Sequence, residues 1–219
     1  MTAVYYFSGS GHSRAVAEYL ARKLDTEHIE ITDLTPPPSE NIETTVIVFP
    51  VYCQNIPAPI IPFLKNISTP KTALIATYGG ISRGNVIFEA SKLINSTLTA
   101  CAYVKTEHSY LSDSTYFDKS ALSETIKNIT LCVRHKVIRL LKNPFADFFP
   151  AWRSRVGVRI KRLDTCTSCG KCTERCPMKA INNGIPSNKC IRCLRCVSEC
   201  PSGALEFSLS PIMNSYLNR

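Results

Sequence analysis

Eight cysteines between Cys166 and Cys200 carry the most specific chemistry in this chain. The stretch reads C-T-S-C-G-K-C-T-E-R-C-P and, after an interval, C-I-R-C-L-R-C-V-S-E-C-P, so the spacing x2, x2, x3 with a closing proline occurs twice. Three thiolates at x2 spacing wrap one face of an iron-sulfur cube, and a fourth held before a proline reaches the neighbouring cube instead. That wiring predicts one cluster on Cys166, Cys169, Cys172 and Cys200, and a second on Cys190, Cys193, Cys196 and Cys176. Each cluster then staples the two halves of the segment together.

Two plainer uses of cysteine fit less well. A disulfide framework belongs to small secreted domains, and Met1-Thr2-Ala3-Val4 runs into strand-like residues with no basic leader. Zinc ribbons separate their C-x2-C pairs by longer gaps and do not produce the doubled run. Residues 160–208 resemble a bacterial-type ferredoxin with two 4Fe-4S clusters. Thiolate ligands need a reducing compartment, so the expected location is the cytoplasm of an organism living with little oxygen.

A second candidate site opens the chain. Ala3-Val4-Tyr5-Tyr6-Phe7 suits a buried strand, Ser8-Gly9-Ser10-Gly11-His12-Ser13 breaks it, and Ala15, Val16, Tyr19, Leu20 and Leu24 recur at helical spacing. A glycine-bearing, hydroxyl-rich turn between strand and helix is an anion site, because backbone N–H groups and the helix N-terminus point at one place. A Walker loop would need a lysine after the glycines, and a dinucleotide fingerprint would need a glycine where Arg14 stands; both fail. What remains resembles the flavodoxin phosphate loop. The resemblance implies that Ser8, Ser10 and Ser13 offer hydroxyls to the phosphate of FMN while Gly9 and Gly11 let the backbone approach it.

Two later loops extend the resemblance: Pro50-Val51-Tyr52-Cys53-Gln54-Asn55-Ile56-Pro57, and Thr77-Tyr78-Gly79-Gly80-Ile81-Ser82-Arg83-Gly84-Asn85. In flavodoxin-like proteins these loops hold the isoalloxazine ring, and their openings look like those of the flavodoxin-ferredoxin fusion family. Tyr52 and Tyr78 are then candidates for ring stacking, with ordinary core packing as the alternative. Asn55 and the Gly79-Gly80 backbone are candidates for the pyrimidine edge. No glycine lies between Pro50 and Pro62, so Asn55, which tolerates positive φ best, is the candidate for a peptide flip. Cys53, Cys101 and Cys132 lack ligand spacing, and Cys101 and Cys132 read as buried apolar residues.

The elements that must position these loops alternate. Further strands are expected over 28–34, 45–49, 72–77 and 100–105, a helix over 85–95, and a long amphipathic helix over 119–141. Alternation of this kind predicts a doubly wound parallel sheet of order 2-1-3-4-5, a flavodoxin-like α/β fold, followed by a small α+β ferredoxin-like domain. The expected division is a flavin-binding domain over 1–143, an aromatic-rich linker over 144–159 that packs between the domains, the dicluster domain over 160–208, and a tail over 209–219 with no motif.

Charge narrows the partners. The formal +9 counts every cysteine as a neutral thiol; two clusters of net −2 bring it to about +5, and a flavin phosphate to about +3. Nucleic-acid binding is therefore not expected, and no apolar run approaches the ~20 residues a membrane span needs. Arg153, Arg155, Arg159, Lys161 and Arg162 form a basic run without an acid. It reads either as a solvated or cluster-facing linker or as a docking patch for an acidic redox partner. The expected function is an electron-transfer flavoprotein relaying electrons between FMN, two 4Fe-4S clusters and an external partner. An FMN-dependent reductase of a small organic acceptor, fed through the ferredoxin-like domain, is the alternative.

Overall fold

Five strands, β1 (Thr2–Tyr6), β2 (His28–Glu30), β3 (Thr44–Pro50), β4 (Lys71–Tyr78) and β5 (Thr97–Lys105), form one parallel sheet of order β2-β1-β3-β4-β5 in the computed structural model. The structure describes residues 1–112, 114–131, 135–147 and 150–218, with side chains left aside at 144 and 150–153. Alternate residues split between two cores, as a sheet covered on both faces requires. Tyr5, Phe7, Ile47, Phe49 and Leu74 join one cluster, with Phe63 and Leu64 of α2 (Ile61–Lys65) and Val86 and Ile87 of α3 (Val86–Ser91). Val4, Tyr6, Val46, Val48 and Ile75 join the other, beneath Val16, Ala17 and Leu20 of α1 (His12–Lys23) and Leu122 and Ile129 of α4 (Ser120–Leu131).

Three elements fall short of the expected limits. β2 stops at Glu30, because the Thr35 hydroxyl donates to the Glu30 carbonyl and accepts from Thr32 N–H, turning the chain off the sheet edge. α3 ends at Ser91, four residues short. The long helix over 119–141 ends at Leu131; beyond it the His135 N–H bonds the Leu98 carbonyl at 2.9 Å, and Leu141 is wholly exposed, so no apolar helical face continues. Cys132 lies outside the described residues. Cys101 is half-buried against the first core, and burial pushes its thiol up to about 11.

The interval 144–159 is more ordered than a plain linker. It holds a 3-10 turn, α5 (Pro150–Gly157) and the start of β6 (Val158–Arg162). Of the aromatic residues expected to pack between the domains, Phe145 is exposed, Phe148 and Phe149 lie outside the described residues, and the Trp152 side chain is among those left aside. Lys142 ties the start of the interval to the sheet domain, reaching Asn55 Oδ1 at 2.8 Å, Glu89 Oε1 at 2.7 Å and Asp147 Oδ1 at 2.7 Å.

β6 pairs antiparallel with β9 (Leu205–Leu209), closing the second unit. Between them lie α6 (Lys171–Glu174), the hairpin of β7 (Ile181–Asn182) and β8 (Ile185–Pro186), and α7 (Arg195–Ser198). Few apolar side chains are buried here, chiefly Val158, Ile181, Leu194 and Leu205. A core that small needs staples to hold it. The tail folds as α8 (Pro211–Leu217): the Ser210 side chain caps it by accepting from Met213 N–H, and proline fills its first position. Among the described residues no helix is long and apolar enough to cross a membrane.

Candidate functional site

The carboxyl ends of β1, β3, β4 and β5 converge on a cavity of about 400 Å³. On the β1 side it is lined by Ser8, Gly9, Ser10, His12 and Ser13. α1 begins here with Gly11 at φ 91°, no capping side chain and no acid in its first turn. The N-terminal end of the helix dipole therefore points to the cavity without a capping side chain, the arrangement that accepts an anion. The three serines also hold the loop together. Ser8 Oγ accepts from Gly11 N–H at 3.1 Å, Ser10 Oγ lies 2.9 Å from His12 Nδ1, and Ser13 Oγ lies 2.8 Å from Thr77 Oγ1 at the end of β4.

The loop after β3 contributes Pro50, Val51, Tyr52, Cys53 and Gln54 to the cavity. Tyr52 and Asn55 exchange backbone hydrogen bonds at 3.0 and 2.8 Å, closing a tight turn in which Cys53 and Gln54 take φ of 49° and 65°. Left-handed backbone thus falls on these two residues and not on Asn55, because the Tyr52–Asn55 closure places them at the centre of the turn. Consecutive non-glycine residues in this conformation store strain, a habit of functional loops. Asn55 does not line the cavity: its amide donates to the Cys53 and Ala146 carbonyls and its Oδ1 accepts from Lys142.

Thr77, Tyr78 and Gly79 line the cavity from the end of β4, with Ile81 and Ser82. The Tyr78 ring packs edge-on to Tyr103 at 6.3 Å and lies under Arg83. Gly11, Gly80 and Gly84 stand outside the lining, and Gly84 packs against the backbone of Gln54. Sequence reasoning passed over His108 and Tyr110, which follow β5 and close this side of the cavity. His108 rests on Gly79, where a Cβ would stand 2.5 Å from its Cδ2. His108 Nδ1 accepts from Tyr110 N–H, leaving the neutral ring's proton on Nε2, and burial, then His12, holds its pKa below the ordinary value. The signal available was positional, since ligands of open α/β sheets sit at the carboxyl ends of strands.

The outer wall comes from the other unit. Ser154, Val156 and Gly157 at the end of α5, Ile191 between two cysteines, and Ile212, Met213 and Tyr216 of α8 all face the cavity. Met213 lies directly on Gly157, and the Ser210 N–H bonds the Gly157 carbonyl at 2.9 Å, so α8 is fixed to the α5–β6 junction.

The cysteine runs repeat in backbone as well as in sequence. A shift of 24 positions carries Cys166, Cys169, Cys172 and Cys176 onto Cys190, Cys193, Cys196 and Cys200. The same shift carries left-handed Ser168, Gly170 and Lys179 onto left-handed Arg192, Leu194 and Gly203. Such turns gather backbone N–H groups into a concavity for anions, iron-sulfur sites included. Ala180 N–H and Ala204 N–H each lie 3.3 Å from the sulfur of Cys176 and Cys200, and Arg192 N–H lies 3.5 Å from that of Cys190. One small cavity is lined by Cys166, Cys169, Cys172 and Cys200. Burial pushes the Cys196 thiol up to about 12, and Cys193, Cys190, Cys176 and, last, Cys172 push the same way. Among the described residues no group of His, Cys, Asp or Glu is tight enough for a single metal ion.

The two sites touch. A Cβ on Gly9 would stand 2.5 Å from the Cys193 carbonyl oxygen, 2.6 Å from Tyr52 Oη and 2.7 Å from Cys193 Cβ. The Tyr52 phenol, hydrogen-bonded to the Gly9 backbone, is raised well above its ordinary pKa by burial and then by Cys193. Tyr110 Oη donates to the Arg192 carbonyl at 2.9 Å, and Arg195 reaches the Ser8 carbonyl. Further out, Lys179 pairs with Asp33 at 2.7 Å.

Residues 159–201 match the family described as a 4Fe-4S dicluster domain. No curated protein matches the chain. Among solved structures, a flavodoxin from the domain Archaea is similar at 18% identity and TM-score 0.45, over 62% of this chain and 100% of that one. A flavoprotein in complex with FMN from Lactobacillus acidophilus is similar at 17% identity and TM-score 0.37, over 47% and 91%. Strand order and the loop after β1, and not these overlays, carry the assignment of the first unit. One polypeptide thus joins an α/β unit of flavodoxin-like strand order to a segment similar to the 4Fe-4S dicluster family.

Proposed function

We propose that the chain is an electron-transfer flavoprotein that passes electrons between FMN, two 4Fe-4S clusters and an external redox partner. The flavin-binding unit would span about 1–143 and the dicluster unit 160–208, joined through 144–159. The residues suit the cofactors. An uncapped α1 with serine hydroxyls around it accepts a terminal phosphate, and the cavity beyond it is bordered by Tyr52, Thr77, Tyr78 and Gly79. Two sets of four cysteines would supply thiolates for two cubanes, and a cationic core would draw the proton even from Cys196, whose thiol is pushed up by burial. When bound, FMN takes electrons singly or in pairs and each cluster passes one.

The contact of Gly9 and Tyr52 with Cys193 is the observation that carries this reading. It sets the phosphate loop directly against a ligand of the second cluster, a placement that serves transfer between them. Cys169 is exposed, on the first cluster's side, and suits exchange with a partner. That partner is proposed to be an acidic protein. Arg155 and Arg162 are held by the carbonyls of Asn188 and Asn183 and the Arg153 side chain lies outside those described, so exposed Arg159 and Lys161 are the described charges of the basic run best placed to steer.

The apolar wall of Ile212, Met213 and Tyr216 favours a second reading, a reductase whose small organic acceptor enters under α8. Anaerobic purification tests the cofactors: about eight iron, eight sulfide and one FMN per chain are expected, and stoichiometric zinc without sulfide refutes the reading. Mixing the reduced protein with small acceptors and with carrier proteins separates the two functions. Catalytic turnover of a small acceptor would favour the reductase; exchange with carriers alone, the relay.

A further inference from the structure

The two cysteine runs are alike in backbone and unlike in the residues between the cysteines. The first run sets exposed Ser168 and Lys171 where the second sets Arg192 and Arg195, buried with only 8% and 4% exposure. Burying a guanidinium is costly unless its charge and its donors are met. Arg192 is met in part by backbone: its Nε donates to the Val158 carbonyl at 2.9 Å, while its buried Nη1 has no partner. Arg195 is met by the other unit. Its Nη2 donates to the Ser8 carbonyl and stands 2.6 Å from Glu30 Oε1, its guanidinium lies 5.6 Å from the centre of the Phe7 ring, and its Nε has no partner. Glu30 turns its other oxygen to Arg175, 3.3 Å away, and Arg175 reaches Glu199 at 3.2 Å.

Arg195 thus begins between Cys193 and Cys196 and ends on the loop after β1. We propose that Arg195 is a positioning residue that locks the second cysteine run to the flavin-side loop, and that its buried charge raises the reduction potential of the cluster held there above the value the ligands alone would give. The inference rests on the reading above. Reduction adds one electron, hence one negative charge, to a cluster. A guanidinium cannot shed its proton, and in a buried setting its field is weakly screened, so it favours the reduced state. Glu30 opposes it from the far end of the side chain. Lys171, its counterpart in the first run, is exposed, and water and salt screen its charge.

The two signs make the test. Holo-protein is titrated potentiometrically, with the clusters followed by EPR and the flavin by absorbance, for wild type, Arg195→Gln, Arg195→Lys, Glu30→Gln and Lys171→Gln. Arg195→Gln is expected to lower one of the two cluster potentials and leave the other in place. Glu30→Gln is expected to raise that same potential, although it breaks the same ion pair. Arg195→Lys keeps the charge and should hold the potential closer to wild type than Arg195→Gln does, while Lys171→Gln moves neither cluster comparably. Shifts of the same sign in Arg195→Gln and Glu30→Gln would mean loosened packing and overturn the proposal, as would equal movement of both clusters or none. Should Arg195→Gln fail to retain its clusters, the sign for Glu30→Gln still decides. Iron, sulfide and FMN contents of the wild type are measured first: their absence refutes the parent reading and this one together, and their presence without the opposed shifts refutes this one alone.

Discussion

Gly9→Ala tests the contact between the two sites more directly than any cofactor ligand does. The added methyl would meet the Cys193 carbonyl oxygen at 2.5 Å and Cys193 Cβ at 2.7 Å, neither of which can swing aside as a long side chain would. Carbon contacts are comfortable at about 3.5 to 4.0 Å, so the loop after β1 and the second cysteine run must part by roughly 1 Å at that point. Overpacking of this kind typically costs about 1 to 3 kcal/mol. Urea unfolding of the full holo-protein should show that loss, and electron exchange between flavin and clusters after rapid mixing should slow. Gly11→Ala separates a clash from backbone strain. It sits at φ 91° with its nearest neighbour, Thr115 Cγ2, 3.7 Å away, so it pays strain but parts nothing. Gly9→Ala protein with wild-type stability and wild-type exchange would refute the contact.

Ser10→Glu should abolish FMN retention, because a carboxylate at the uncapped start of α1 repels a phosphate; unchanged flavin content after gel filtration would displace the phosphate from this loop. Cys176→Ser should damage the cluster held by Cys190, Cys193 and Cys196 and spare the other, read by EPR and iron content, and loss of the first cluster alone would refute the crossed wiring. Arg155→Glu should lower stability, because its guanidinium serves the Asn188 carbonyl. Arg159→Glu should leave spectra and stability intact, yet slow exchange with an acidic carrier and flatten its dependence on salt; an unaltered rate at two salt concentrations would remove the docking role.

Legibility followed the range of each interaction. The cysteine runs are local: ligand spacing, the turns between ligands and the two short helices lie within a dozen residues, so the sequence carried the repeat to the residue. The sheet was legible because β1, β3 and β4 are buried on both faces and read as unbroken apolar runs. What escaped is long-range. Nothing in Pro211–Leu217 marks it as a cavity wall; that role comes from Ser210 bonding Gly157 and from Met213 packing on the same residue. Asn55 has the composition of a flavin-loop residue, but Lys142 and the Ala146 carbonyl, far along the chain, draw its amide away. His108 lacked any motif and gains its setting only by packing on Gly79.

Duplication and divergence together give the proposed relay a direction in space. Two equal halves would offer the flavin two equal clusters, with nothing to choose between them. The second half has given its variable positions, Ile191, Arg192, Leu194 and Arg195, to contacts within the protein: Ile191 lines the cavity, and the other three are buried. The first half keeps Thr167, Ser168 and Lys171 exposed at the corresponding places, with exposed Cys169 among them. A Cys193-side cluster would therefore trade electrons inward past Gly9 and Tyr52, and a Cys169-side cluster outward. If that division holds, replacing Lys171 should disturb exchange with a carrier and leave flavin–cluster exchange alone, whereas replacing Arg195 should do the reverse. Two exchange rates, measured in the same two variants, decide whether the asymmetry of the side chains is also an asymmetry of function.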